Sequence, residues 1–186
     1  MIRYYTSRDI SAKLSISLAK WKRWSREFLP PDPLGGLQSG FARQYNFNDA
    51  FTVFLGGFLV SGLKYTIPEA NSILQGLHQW LIDKRFFLDL EDKGPSPQAI
   101  DSHVREYRIY IHREFEDSVE SCQFVYTIRG IVADQASDFK GNPVRTETYN
   151  ETIIRQEMRA ALPLLTDGKK VLEISTIHRY FRERLN

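Results

Sequence analysis

Apolar positions recur at helical spacing through the first half of this 186-residue chain and switch to alternation in the second. Thr6 or Ser7 can cap a first helix, about two turns long, that carries Ile10 and Leu14, with Asp9 in its first turn where the helix dipole favours a carboxylate. Ser15-Ile16-Ser17 reads as a tight turn whose last serine caps a second helix. At about 100° per residue, Leu18, Trp21, Trp24 and Phe28 of that helix fall within roughly 120° of one another. Ala19, Lys22, Arg23 and Arg26 take the opposite face, with Lys20 on its flank. The helix should stop at Leu29, because Pro30-Pro31 removes donors and disfavours helical geometry in the residue before it.

Residues 30–45 are loop by composition, with three prolines and three glycines. Gly35-Gly36 suits a hairpin tip, and Phe41, Arg43 and Tyr45 alternate as a short strand would. A strongly apolar helix follows over Asn46–Gly62, with Asn48 as its expected cap and so few polar positions that it should be central. Thr66 and Glu69 have capping-box spacing around Pro68, and Ile73, Leu77, Trp80, Leu81, Lys84 and Leu88 continue a helix to about Asp89. Helices of this length often carry a stripe for a partner as well as one for the core. Glu91–Pro97, charged and rich in Gly and Pro, marks the domain boundary.

Beyond it, Tyr107, Ile109 and Ile111 alternate with Arg108, Tyr110 and His112. Phe124, Tyr126 and Ile128 do the same with Val125, Thr127 and Arg129, so these runs predict neighbouring strands, and Val144–Tyr149 a third. Over Asn150–Leu162 the spacing of Ile154, Met158 and Ala161 predicts a helix stopped by Pro163, with extension of the strand through Thr152–Ile154 as the alternative. Lys170–Ile174 is read as a last strand, and Ser175 as the cap of a terminal helix with Ile177, Phe181 and Leu185 on one face and Arg179, Arg182 and Arg184 elsewhere.

Charge sharpens this division. The formal net charge is +2, but residues 1–45 carry eight Lys/Arg against three Asp/Glu, a local +5, which leaves −3 for the remainder. A basic head on a mildly acidic body is the asymmetry expected when only the head meets a polyanion. The single cysteine, Cys122, excludes an internal disulfide and a multi-cysteine metal site, and His78, His103, His112 and His178 lack ligand spacing. Neither a nucleophile–base pair nor a phosphate-cradling glycine loop stands out, so neither enzymatic activity nor a cofactor or metal is expected. There is no membrane-length apolar run, and MIRYYTSRD lacks the apolar core of a signal peptide, so the expected location is cytoplasmic. His112 shares a strand face with Arg108 and Tyr110, read as an ordinary solvated sheet face, and Cys122 as a buried residue at a strand start.

Tyr5-Thr6-Ser7 with Ile10, then Leu14-Ser15-Ile16-Ser17, Phe28-Leu29-Pro30, Gly40-Phe41-Ala42-Arg43-Gln44-Tyr45, and Ser61-Gly62-Leu63 followed by Thr66-Ile67-Pro68-Glu69 form an ordered series. It resembles the MerR family of winged-helix transcription regulators over about the first 75 residues. These segments match, in turn, that family's opening turn, the turn before its recognition helix, the leucine-proline end of that helix, its Gly-Tyr-Arg-x-Tyr wing, and its step into the next helix. Here the wing has one residue more between Gly40 and Arg43, and Lys20-Trp21-Lys22-Arg23-Trp24 replaces the usual Arg-Tyr-Tyr.

The expected fold class is α+β: a mostly helical winged helix-turn-helix domain over residues 1–75, a helix extension and linker over 76–97, and a small α+β domain with an antiparallel sheet over 98–186. The resemblance implies a homodimer that binds double-stranded DNA at a two-fold-related site, with the second domain dimerising or receiving a small-molecule or protein effector. The candidate DNA-binding residues are Ser17, Ala19, Lys20, Lys22, Arg23 and Arg26 on the second helix, and Gln38, Ser39, Arg43 and Tyr45 in the wing. Trp21 and Trp24 are assigned to the core, since they hold the apolar spacing. The rival readings are an excisionase-like protein that bends DNA and an adaptor whose winged domain binds protein.

Overall fold

The computed structural model describes residues 4–32, 43–87, 103–115, 122–158 and 168–185. It is an α+β structure whose sheets are antiparallel. The chain divides into two compact units, Met1–Gly94 together with Ile177–Asn186, and Pro95–Thr176. The expected 98–186 domain is thereby corrected: the last residues group with the helical unit, for reasons of packing given below.

In the helical unit, strand β1 (Tyr5–Thr6) pairs antiparallel with β2 (Gln44–Tyr45), Tyr5 opposite Tyr45. Helix α1 (Ser7–Leu14) starts from a capping box in which the Thr6 hydroxyl accepts from the Asp9 N–H while the Asp9 carboxylate accepts from the Thr6 N–H at 2.9 Å. It ends at Ser15 in the left-handed region, φ 54°. Three residues later α2 (Leu18–Phe28) begins, capped by the Ser17 hydroxyl, which accepts from Lys20 N–H at 3.3 Å.

Helix α3 (Phe47–Ser61) starts two residues earlier than a cap at Asn48 would place it. Asn46, not Asn48, is the cap, its side-chain oxygen accepting from Asp49 N–H at 2.8 Å. Helix α4 (Ile67–Asp83) carries the expected Thr66–Glu69 capping box. It stops at Asp83, short of the expected Asp89: Arg85 turns left-handed at φ 55°, and Phe86 folds back to stack on Trp80, ring centroids 5.5 Å apart. A buried aromatic and a backbone reversal thus outweigh a spacing that could have continued.

Helix α5 (Ile174–Leu185) ends the described chain. Ser175 is not its cap; its hydroxyl accepts from Tyr107 N–H at 2.8 Å. From Ile177 on, the helix joins the helical unit. Phe181 packs on Phe47, Phe51 and Phe54 at centroid distances of 5.3, 5.2 and 5.1 Å. Lys13 Nζ donates to the Leu185 carbonyl at 2.6 Å, a cation at a helix C-terminus where the dipole favours it.

The other unit holds a four-stranded sheet in the order β5-β4-β3-β6: β3 (Glu106–Phe115), β4 (Cys122–Phe139), β5 (Asn142–Met158) and β6 (Lys170–Leu172). The helix expected over Asn150–Leu162 is therefore corrected as far as Met158, where the chain is strand. Residues 142–158 pair with β4 along their whole length, from Phe139↔Asn142 to Cys122↔Met158, with a register shift between Ile131 and Ala133. One face carries buried Tyr107, Ile109, Ile111, Tyr126 and Ile128. The other is polar: Arg108 is ringed by Glu106, Glu147 (2.6 Å) and Glu173 (3.9 Å), and Arg129 meets Glu151 at 2.9 Å. His112 on that face lies 3.4 Å from Glu114.

Candidate nucleic-acid interface

The site is built around α2, and its placement begins with two glycines. A Cβ at Gly57 would lie 2.2 Å from Trp24 Cε3, and one at Gly56 would lie 2.7 Å from the Phe28 ring. Only hydrogen at both positions lets α2 seat its aromatic face on α3. Trp21 is fully buried and Trp24 nearly so, as their spacing predicts. Trp21 also meets Tyr45 edge-on at 5.7 Å. With that face fixed, Ser17, Ala19, Lys20, Lys22, Arg23 and Arg26 are exposed. Lys20 Nζ lies 4.7 Å from the Trp24 ring centroid, so this flanking cation is held along the helix rather than swept freely through solvent.

The described part of the expected wing contributes Arg43 and Tyr45, while Gln38 and Ser39 lie outside the described residues. Arg43 is half-buried, its guanidinium 5.7 Å from the Tyr45 ring centroid. Tyr45 itself is corrected from contact to core. It is 2% exposed, and its hydroxyl lies 3.1 Å from Ser7 Oγ and 2.9 Å from Ser25 Oγ. A phenol satisfied by two serines and walled by Trp21 offers nothing to a phosphate. Its work is to lock β2 to α1 and α2, which fixes where Arg43 emerges.

Between the start of α1, the outer side of α2 and β2 lies an open cleft of about 1070 Å³. Arg8, Lys22, Arg26 and Arg43 line it, together with Asp9 and Asp32. The Asp9 carboxylate is committed to the cap: it accepts from the Thr6 hydroxyl at 2.7 Å and from the Thr6 N–H, and these bonds hold its pKa below the ordinary carboxylate value. Lys22 and Arg26, four residues apart, share one side of α2 and line the cleft together with Arg43 and Arg8.

No protein-family model matches the chain, and a search of curated proteins returns no matching sequence.

Arg8 is the residue the sequence reading missed. It sits in the first turn of α1 beside the acidic cap, where a cation is ordinarily read as solvated surface. Nothing local marks it; only the β1–β2 pairing, which brings the α1 start beside β2, sets it in one cleft with Lys22, Arg26 and Arg43. Ser17 serves as a cap, so its hydroxyl already accepts one bond, and it retains a donor for a ligand. Among the described residues, no cluster of three His, Cys, Asp or Glu could hold a metal ion, and no helix is long and apolar enough to cross a membrane.

Proposed function

We propose that the protein binds double-stranded DNA sequence-specifically through the exposed face of α2, as a MerR-like winged helix-turn-helix transcription regulator acting as a homodimer. The observation that carries this reading is the convergence of Arg8, Lys22, Arg26 and Arg43 on one open cleft, beside a helix whose outward face also bears Lys20 and Arg23. An α-helix is the element that enters a major groove, and its cations can meet both phosphates and guanine edges. In this reading Arg23, Lys22 and Arg26 enter the groove, while Arg43 and Arg8 bind the backbone on either side and set the register.

Two features support the division of labour. The aromatic side of α2 is consumed by packing on α3, so only the cationic side is left to a ligand. One of the cleft's two carboxylates, Asp9, is already committed to a helix cap, which leaves Asp32 against the cations Arg8, Lys22, Arg26 and Arg43. Neutralised phosphates release counterions, so affinity should fall steeply with salt. The test is duplex binding by fluorescence anisotropy for the wild type and for Lys22→Ala/Arg23→Ala/Arg26→Ala. Affinity that barely changes with salt would favour a protein ligand for the cleft instead.

A further inference from the structure

We infer that two copies of this chain pair edge to edge along β5, with a two-fold axis at Ile153 that joins two four-stranded sheets into one of eight strands. This names an interface for the homodimer read above. It is tested without DNA, so its failure and that of the DNA reading are distinguishable.

The sheet has two very different margins. On one side β6 is three residues long, which is a blunted edge. On the other, β5 runs for 17 residues, and among the described residues nothing pairs with its outer side. Natural edges of such length are guarded by proline, lysine or a bulge. Here the lone proline, Pro143, stands at the far end, there is no lysine, and the register shift lies beyond Ile131. From Tyr149 to Met158 the strand is regular, and it is backed by β4. Ile153 is 49% exposed in the middle of this stretch, an apolar side chain left in water between the charged Glu151 and Arg155.

The sequence of the edge decides what covers it. A two-fold perpendicular to the sheet keeps each face on the same side, so the axis must lie midway between one residue and its own copy, and positions equally far before and after that residue meet across it. Centring on Glu151 sets carboxylate against carboxylate, and centring on Arg155 sets guanidinium against guanidinium. Only Ile153, among centres between these two, places Glu151 opposite Arg155, twice by symmetry. It also sets Ile153 against itself and Thr152 against Ile154 on the other face, all at cross-strand contact distance. Arg155 is 57% exposed, and its Nε lies 3.8 Å from Glu114, so its charge is largely open to a second carboxylate. Glu151 is held in place by Arg129 at 2.9 Å. The strand is thus self-complementary in charge, apolarity and backbone hydrogen bonding, and the occupant it fits is a second copy of itself.

The experiment is sedimentation equilibrium of the full chain, wild type against Arg155→Glu, paired with cross-linking of Ile153→Cys in a Cys122→Ser background. Arg155→Glu sets two carboxylates against each other at both symmetric contacts and should weaken dimerisation about tenfold or more. Ile153→Cys should cross-link to itself rapidly with a short bis-maleimide. Thr146→Cys, seven positions from the axis, should not. A monomeric wild type, equal dimer affinity for Arg155→Glu, or cross-linking at Ile153→Cys no faster than at Thr146→Cys would each overturn the interface.

Discussion

The Tyr45 hydroxyl and Ser25 Oγ lie 2.9 Å apart in the core of the helical unit, which ties β2 to the buried side of α2. Ser7 Oγ joins them at 3.1 Å. Tyr45→Phe would keep the ring on Trp21 but leave two buried serine hydroxyls without this partner. We expect a loss of about 1–3 kcal/mol in urea denaturation, with the folded variant's DNA affinity unchanged. Affinity lost without any loss of stability would instead place Tyr45 against the ligand.

The glycine saddle gives a second prediction. Gly57→Ala puts a methyl 2.2–2.5 Å from three atoms of the Trp24 ring, so α2 must lift or the indole must turn. Overpacking of this kind costs about 1–3 kcal/mol. It should also displace the cationic face, weakening DNA binding even where the protein remains folded. Near-UV circular dichroism of the tryptophans is the readout, and an unaltered spectrum would contradict the packing described.

His178 gives a dependence on pH. It sits among Phe47, Phe51 and Phe86, 5% exposed. Burial first, and the Arg182 cation second, depress its pKa from the ordinary 6.5 to about 4, against the pull of a backbone hydrogen bond at Phe86. The unfolded chain therefore takes up this proton before the folded one. Stability is undiminished above pH 6.5 and falls as the pH drops toward 4, by about 3 kcal/mol from this group. His178→Phe should flatten that slope by about one proton, measured as the urea midpoint against pH. A slope identical to wild type would remove His178 as its source.

The terminal helix is part of the head. A chain ending at Thr176 loses Ile177, Phe181 and Leu185, each buried and worth about 1.5–3 kcal/mol. It also opens the Phe47–Phe51 surface and frees Lys13 from Leu185. That sum approaches the whole stability of a small domain. We expect no cooperative thermal transition in tryptophan fluorescence for the shortened chain, and a native-like transition would contradict the grouping.

What could be read along the chain was whatever is decided locally. Thr6 with Asp9, Ser17, and Thr66 with Glu69 announce three helix starts because a cap is complete within four residues. Trp21, Trp24 and Phe28 announce a buried face because their period is that of a helix in any surroundings. Ile154 and Met158 misled because a spacing of four keeps one face in a helix and also in a strand. Only the long pairing with β4 decides between them. Tyr45 alternates with Arg43, which suggested a shared role, but its burial is set by Ser7, Ser25 and Trp21, all 20 or more positions away. The two-residue β1 is too short to show any period, and with it went the clue to Arg8.

The cationic side of α2 is the part of the chain proposed to bind duplex DNA. Anisotropy titrations of a mixed-sequence genomic duplex library, across a salt series, compare the wild type with Lys22→Ala/Arg23→Ala/Arg26→Ala, whose side chains are exposed and whose loss should leave the fold intact. We expect wild-type affinity to fall steeply with salt, and the variant to lose binding or to lower the log–log slope by about three. Equal affinity and equal slope for the two proteins would contradict it.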